Sequence, residues 1–267
     1  MSRDEEMAMH PILFRCCGIT VHTYGFFLAL AVLSAIFMAR REAIRLEVDP
    51  DKIMDACFYV VVAAIVGSRL FYVATAPSAF LADPLEIFKI WNGGLVFYGG
   101  FIGAVLVVLV YFKIYHLPLG KCADIAAISL PLGHFLGRLG CFSAGCCYGK
   151  ACDLPWAVTF HNPESLAPLN LPVHPTQLYE SGANLLVFLL LFAFRKSKRY
   201  DGQLFWIYMA LYGVNRSIIE SFRADFRGGE ILNVLSISQA IGLSFAALAI
   251  IMLIILGRKH AAASKNA

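Results

Sequence analysis

The chain has 267 residues, 59% of them hydrophobic and 15% charged, with a mean hydropathy of +0.70. Globular domains are roughly half apolar and a quarter charged, so these values exclude a soluble globular protein and indicate an integral membrane protein. The net charge of +4 is no sign of a nucleic-acid partner, because the basic residues lie in short loops flanking apolar runs.

The first residues carry Asp4, Glu5 and Glu6, too acidic for the basic region of a signal peptide, and no small-residue cleavage pattern follows. The first apolar span is therefore expected to be retained. A bilayer core takes about 20 apolar helical residues. Seven segments reach that length, near 23–41, 53–75, 95–115, 122–141, 177–195, 203–222 and 236–256. Open sheets cannot satisfy their backbone in lipid, and alternation is too weak for a barrel. The expected fold is all-α, a polytopic membrane bundle of seven transmembrane helices forming one domain over 1–267. Residues 1–20 form an outer N-terminal segment, 142–176 a long outer loop, and 258–267 a cytoplasmic tail, disordered from Ala261.

Between the second and third spans, Asp83-Pro84 predicts a helix N-terminus. Leu81, Leu85 and Phe88, with Trp91 beyond, suggest a short helix lying in the interface. The loop 142–176 is long enough for a functional role to be the favoured reading. Orientation follows from lysine and arginine. With the N-terminus outside, the inner segments hold Arg40, Arg41, Arg45, Lys52, Lys113, Lys121, Arg195, Lys196, Lys198, Arg199, Arg258, Lys259 and Lys265. The outer ones hold only Arg3, Arg15, Lys89, Lys150, Arg223 and Arg227, so N-out and C-in is expected.

The remaining arginines, Arg69, Arg138 and Arg216, fall inside the spans. An arginine at a membrane-helix centre costs about 2.5–3.5 kcal/mol on insertion scales, so such residues usually face a polar cavity or bind something anionic. Arg138 shares a helix face with His134 and is flanked by Gly133, Gly137 and Gly140. It either snorkels to the interface or meets a head group. Arg216, Glu220 and Arg223 form a stripe one turn beyond Tyr212, readable as a structural ion pair or as a phosphate grip that Glu220 orients. For Arg69 the favoured reading is structural pairing with a carboxylate, Glu180, Glu220 or Asp124.

The segment His174-Pro-Thr-Gln-Leu-Tyr-Glu180 gathers an unusual set of polar residues at the start of a span. Thr176 is a candidate N-cap, Glu180 either serves the helix dipole or the site, and His174 is a candidate general base. Cys141, Cys146, Cys147 and Cys152 crowd one loop, but their C-x4-C-C-x4-C spacing is not that of zinc ribbons. A disulfide there is open if the outside is oxidising. No P-loop, dinucleotide fingerprint or His-Glu-x-x-His is present. The glycine pairs flanking 95–98 read as a helix mouth that exposes Tyr98 and leaves room for a ligand. A thiol oxidoreductase using the loop cysteines, a transporter of an anionic lipid and a structural scaffold are the competing classes.

Taken together, His22-Thr-Tyr24-Gly25, Gly67-Ser-Arg69, Gly93-Gly94-Leu-Val-Phe-Tyr98-Gly99-Gly100, Gly137-Arg138-Leu-Gly140, Pro172-Val-His174-Pro-Thr-Gln-Leu-Tyr-Glu180 and Tyr212-Gly213-Val-Asn-Arg216-Ser-Ile-Ile-Glu220 resemble the bacterial phosphatidylglycerol–prolipoprotein diacylglyceryl transferase family. The resemblance covers about Val21 to Gly257. It implies a multi-pass enzyme of the bacterial inner membrane that moves the diacylglyceryl group of phosphatidylglycerol onto the lipobox cysteine thiol of a preprolipoprotein, releasing glycerol 1-phosphate. Its partners would be these two substrates and the lipid bilayer, with no nucleic acid, and it implies no metal or organic cofactor. The family's signature arginine maps to Arg138, its sixth-span arginine to Arg216 and its first-span tyrosine to Tyr24. The expected catalytic set is Arg216, His174 and Tyr98. Arg138, Tyr24 and Arg69 are expected on the phospholipid, with Glu220, Tyr212 and Glu180 in support. Many members carry histidine where this chain has Tyr98, asparagine at the position of Cys141 and glutamate at that of Cys146. A neutral tyrosine is a poor base, its ordinary pKa being about 10, which leaves His174 or the arginines alone.

Overall fold

The computed structural model describes residues 10–16, 19–77, 80, 84–89, 93–224, 230–231 and 235–265. Among these residues run seven long helices: α1 (Thr23–Arg45), α2 (Pro50–Thr75), α3 (Phe97–Ile114), α4 (Leu119–Ala144), α5 (Thr176–Phe194), α6 (Gln203–Glu220) and α7 (Ile237–Lys265). Three two-stranded antiparallel pieces join them: β1 (Ile12–Cys16) with β2 (Ile19–His22), β3 (Val158–Thr159) with β4 (Pro172–Val173), and β5 (Glu230–Ile231) with β6 (Leu235–Ser236).

The predominantly helical, polytopic architecture is as expected. Six helices, all but α6, are long and apolar enough to cross a membrane. Helix α6 carries Gln203, Asn215, Arg216, Ser217 and Glu220 within 18 residues, which lowers its apolar character. The all-α expectation is modified by the β1–β2 hairpin, which leads directly into α1. The disordered tail is also corrected, since α7 continues through Ala261–Ala263 to Lys265, residues with high helix propensity. Between α2 and α3, a 3-10 turn spans Pro84–Phe88 and exposes Leu85 and Phe88. The proposed cap Asp83, Leu81 and Trp91 lie outside the described residues.

The chain falls into two compact units, 39–122 and 1–38 together with 123–267. In the first, Asp49 caps α2 by accepting from the Asp51 and Lys52 backbone N–H groups at 3.0 and 3.4 Å, with Pro50 opening the helix. Helices α2 and α3 touch backbone to backbone. A Cβ on Gly99 would lie 2.3 Å from the Gly67 carbonyl oxygen, and one on Gly103 would lie 2.7 Å from that of Ala63. Arg69 is buried in this unit, and its partners among the described residues are backbone carbonyls. Its Nε donates to the Ile87 carbonyl at 3.0 Å, Nη1 to those of Gly93 and Gly94 at 2.6 and 3.3 Å, and Nη2 to those of Glu86 and Lys89. The expectation of a carboxylate partner is thereby corrected: a planar donor fork suits a ring of convergent carbonyls equally well. The glycine mouth serves the same purpose. Gly94 has φ +72°, and a Cβ there would meet the Arg69 Nη1 at 2.6 Å. At Gly94 the missing side chain makes room for the guanidinium, whereas Gly93 faces open space.

The second unit packs Met38, Ala127, Ile128, Val187, Leu191, Leu204 and Tyr208 into a core. Helices α6 and α7 approach closely at Gly213, where a Cβ would lie 2.4 Å from the Gly242 carbonyl oxygen. One end of the unit is tied by Asp124, which is fully buried. Its Oδ2 accepts from Lys198 Nζ at 2.7 Å and the Gly202 backbone N–H at 2.9 Å, and its Oδ1 accepts from the Phe205 N–H at 3.2 Å. Asp124 thus satisfies orphan N–H groups at the start of α6 and pairs a lysine that is 11% exposed. Replacing Asp124 by alanine is expected to cost about 3–5 kcal/mol, the penalty for stranding one partner of a buried pair. Thermal unfolding in detergent checks this, as a large fall in midpoint against an Asp201→Ala control on the exposed partner.

Candidate active site

Three segments of the second unit supply the site: the last turns of α4, the first turns of α5, and the end of α6 with the turn after it. The long loop between α4 and α5 is folded, with a small core of Phe160, Ala167 and Val173. Side chains at the start of α5 fasten it. Thr176 Oγ1 donates to the Cys147 carbonyl at 2.7 Å, and Gln177 Nε2 donates to that of Cys146 at 2.8 Å. Thr176 is therefore not the N-cap. The cap position is Pro175, which has no side-chain acceptor, and the hydroxyl is used across the loop instead. The Gly149 N–H donates to the His174 carbonyl at 3.0 Å and the Lys150 N–H to that of Phe222 at 2.8 Å. A Cβ on Gly149 would lie 2.6 Å from the His174 Cβ and 2.7 Å from the Phe222 carbonyl oxygen. Glycine at 149 is thus what lets the loop draw the ends of α5 and α6 together.

At this junction three guanidiniums surround two carboxylates. Arg138 Nη2 donates to Glu180 Oε1 at 2.6 Å, while Glu180 Oε2 faces Arg223 Nη1 at 3.4 Å and Arg216 Nη1 at 3.9 Å. Glu220 Oε2 pairs with Arg216 Nη2 at 2.6 Å and lies 3.9 Å from Arg223 Nε. The side chains of Arg138, Arg216 and Arg223 are 20%, 12% and 2% exposed. Glu180 sits within the first turns of α5, where the helix dipole favours a carboxylate, and Asn184 Nδ2 donates to its backbone carbonyl at 2.7 Å. Among the described residues, three guanidiniums thus share two carboxylates. Arg216 Nη1 is buried, 3.9 Å from Glu180 Oε2, and has no hydrogen-bond partner among the described residues. Such an arrangement accepts an additional anion, and guanidinium forks suit phosphate oxygens in particular.

Below the cluster, His134 Nδ1 lies 3.5 Å from the Tyr208 hydroxyl, and its ring packs on Tyr212 at 5.8 Å between centroids. Tyr212 also packs on Tyr208 at 5.8 Å between ring centroids. Tyr24 on α1 packs against Gly140, where a Cβ would lie 3.3 Å from the Tyr24 carbonyl oxygen. His174 borders a groove of about 420 Å³ that is walled by Leu154, Trp156, Tyr179, Ile218, Ile219 and Phe222. Its Nδ1 lies 3.3 Å from the Tyr179 hydroxyl, which accepts from Trp156 Nε1 at 2.8 Å. The expected residues Arg138, Arg216, Glu180, Glu220, Tyr212, Tyr24 and His174 all belong to this unit. Arg69 and Tyr98 belong to the other one. There the Arg69 nitrogens are occupied by carbonyls, and Tyr98 is exposed at the start of α3.

Arg223 is absent from the expected site set, although it reads in the sequence both as an outer cation and as part of the Arg216–Glu220 stripe; it is buried and shared by both glutamates. Its stripe with Arg216 and Glu220 was the available signal, but α6 ends at Glu220. Only the turn at Ser221–Phe222 and the bridge from Arg223 to Gly149 carry it inward.

No disulfide joins Cys57, Cys122, Cys141, Cys146, Cys147 and Cys152 to one another. The Sγ atoms of Cys141, Cys146 and Cys147 nevertheless lie within 4.8 Å of one another. Hydrogen bonds from the Cys141 and Cys146 thiols, with the Arg223 guanidinium adding to them, hold the Cys147 thiol below its usual value. Hydrogen bonds to Cys141 and Cys147 push the Cys146 thiol up.

Residues 11–255 match the profile of the family described as prolipoprotein diacylglyceryl transferase. Among similar proteins, the phosphatidylglycerol–prolipoprotein diacylglyceryl transferase of Clostridium tetani is 36% identical over 236 residues, covering 88% of this chain and 93% of its own. That of Geobacter sulfurreducens is 32% identical over 254 residues, covering 93% and 96% of the two chains. That of Trichormus variabilis is 35% identical over 243 residues, covering 88% and 85%. A family match over residues 11–255 and relatives more than 30% identical over most of the chain agree, and this chain belongs to the prolipoprotein diacylglyceryl transferase family.

Proposed function

We propose that the protein transfers the sn-1,2-diacylglyceryl group of phosphatidylglycerol to the lipobox cysteine of preprolipoproteins, the first step of bacterial lipoprotein maturation. The observation that carries this is the convergence of Arg138 and Arg216 on the buried Glu180, with Arg216 Nη1 lacking a hydrogen-bond acceptor among the described residues. The phosphate of the lipid supplies that acceptor. The substrate sulfur attacks the glyceryl carbon bearing the phosphate ester, a C–S bond forms, the C–O bond breaks, and glycerol 1-phosphate departs with the electron pair. Negative charge grows on the phosphate as that bond lengthens. Fixed donors in a water-poor site act most strongly on such developing charge. The same field favours the thiolate form of the incoming cysteine, which is its nucleophilic form. Glu180 and Glu220 orient the forks.

Of the two candidate proton acceptors, His174 is the better placed, because it opens on the groove beside Tyr179 and an imidazole is suited to accept a thiol proton near neutrality. Tyr98 at the start of α3 and Tyr24 at the start of α1 are assigned to lipid contact. Arg69 acts as a structural anchor. The proposal includes α6 as the seventh membrane span, since charged residues within a span mark functional positions. It also includes the Pro84–Phe88 turn at the interface, and the chain acting as one domain in the inner membrane with the N-terminus outside and the C-terminus in the cytoplasm.

The test is incubation of the purified protein with phosphatidylglycerol and a lipobox peptide, read by mass spectrometry. A diacylglyceryl adduct on the peptide cysteine, absent with a cysteine-to-serine peptide, is expected. Failure to form it with active lipid and peptide overturns the reading. Replacing His174 by phenylalanine keeps the ring contacts to Phe222 at 5.2 Å and Tyr179 at 6.1 Å while removing the acceptor. Turnover is expected to fall by about 10²–10⁴, the usual worth of a positioned general base, with little change in thermal midpoint. Unchanged turnover in steady-state assays removes His174 from the mechanism.

A further inference from the structure

The three converging thiols at the end of α4 have no part in the transfer chemistry described above. Cys141 occupies the last turn of α4, and the chain then reverses through two residues with left-handed backbone, Gly145 at φ +74° and Cys147 at φ +62°. A left-handed residue other than glycine costs about 1–2 kcal/mol, so Cys147 is held in that conformation by its surroundings. The Cys146 N–H donates to the Cys141 carbonyl at 3.2 Å, which closes the turn. Thr176 and Gln177 then clamp the carbonyls of Cys147 and Cys146 from α5. The result is that two sequence-adjacent thiols, which cannot bridge each other without strain, both turn toward a third. Cys152, fourth in the sequence cluster, is outside the group.

We propose that Cys141, Cys146 and Cys147 form a three-thiolate site for a thiophilic d10 cation, Zn(II) or Cu(I). A zinc–thiolate bond is about 2.3 Å, which places the sulfurs of a tetrahedral site about 3.8 Å apart. Thiols already within 4.8 Å of one another reach that spacing by small side-chain rotations. Soft thiolate ligands select these metals over magnesium or calcium. The nearby guanidiniums do not oppose this. Three thiolates around a dication carry one net negative charge, and around a monocation two. Arg138 Nη1 lies 4.0 Å from Cys141 Sγ and so faces an anionic complex, not a bare cation. On metal binding the three thiol protons are released to solvent. Zinc at this site keeps its fourth position open to water or an exogenous thiolate. Gln177, fully buried, holds the Cys146 carbonyl through its Nε2, and its Oε1 has no hydrogen-bond partner among the described residues.

The site is tested on the full chain in detergent, purified under reducing, oxygen-free conditions. Metal content after gel filtration is measured before and after incubation with Zn(II), and separately with Cu(I) held as a weak complex. Stoichiometric retention of one of the two is expected, and which one is retained identifies the cation. Loading with Co(II) is expected to give an intense sulfur-to-metal charge-transfer band, a signature of thiolate ligation that needs no variant. The Cys141→Ser, Cys146→Ser and Cys147→Ser proteins are expected to lose both signals, and Cys152→Ser to keep them. The proposal is overturned if neither metal is retained and no charge-transfer band appears, if the triple serine protein retains metal as the parent does, or if peptide mapping of the freshly isolated protein finds these thiols joined as a disulfide. Because no readout is lipid transfer, failure here leaves the transferase reading standing, and failure of the transfer assay leaves this one standing.

Discussion

Arg138→Ala is expected to reduce diacylglyceryl transfer by about 10²–10³ or more in turnover, the usual consequence of removing one fixed donor from a site that stabilises developing negative charge. The effect should appear in turnover more than in lipid affinity, since the contact strengthens as the phosphate departs. The fold is expected to survive. Without Arg138, the cluster retains Arg216 and Arg223 against Glu180 and Glu220, two charges of each sign. Removal of Arg138 therefore costs function while leaving these ion pairs balanced. Steady-state lipidation of a lipobox peptide, alongside gel filtration and thermal unfolding of the same preparation, separates the two. Near-parental transfer by the alanine protein would remove Arg138 from phosphate stabilisation altogether.

The second large effect is on stability. Glu180→Gln leaves three guanidiniums with only Glu220 to balance them in a site where Arg223 is 2% exposed and Glu180 itself 5% exposed. Breaking a buried pair by neutralising one partner costs about 3–5 kcal/mol, because the remaining charges stay desolvated. A marked fall in thermal midpoint in detergent is expected, with transfer lost as the arginine forks lose their orienting carboxylate. A second substitution discriminates charge imbalance from lost shape. Arg223→Gln added to Glu180→Gln removes one of the guanidiniums left facing Glu220 and should recover part of the lost midpoint. Charges in one network couple, so the pair should be non-additive. An additive double variant would show that Glu180 acts by packing and not by charge.

Much of the chain's character is determined by its sequence alone. Apolar runs about one bilayer long decide the helices, because lipid admits few alternatives for the backbone, and α2 through α6 begin and end within several residues of where those runs do. Arginines at 138 and 216 stand out for the same reason: a cation in an apolar run must have a partner or a cavity. Glu180 and His174 were legible as members of one polar segment, though their roles were not. Short-range patterning could not show that Thr176 spends its hydroxyl on the Cys147 carbonyl, that Arg69 is satisfied by carbonyls from 86 to 94, or that Arg223 turns inward after α6 has ended.

Those outcomes depend on which backbone groups the loops bring within about 3 Å, a matter of tertiary closure and not of local composition. The cysteines show the same division. Their spacing matched no metal motif, because a linear spacing assumes ordinary turn geometry. The left-handed Cys147 and the two clamps from α5 gather them regardless. Sequence therefore determined that guanidiniums are buried in a membrane scaffold and which of them belong on helices. Only the folded chain decided that three of them share two glutamates, because counting charges in a site requires knowing which side chains meet there.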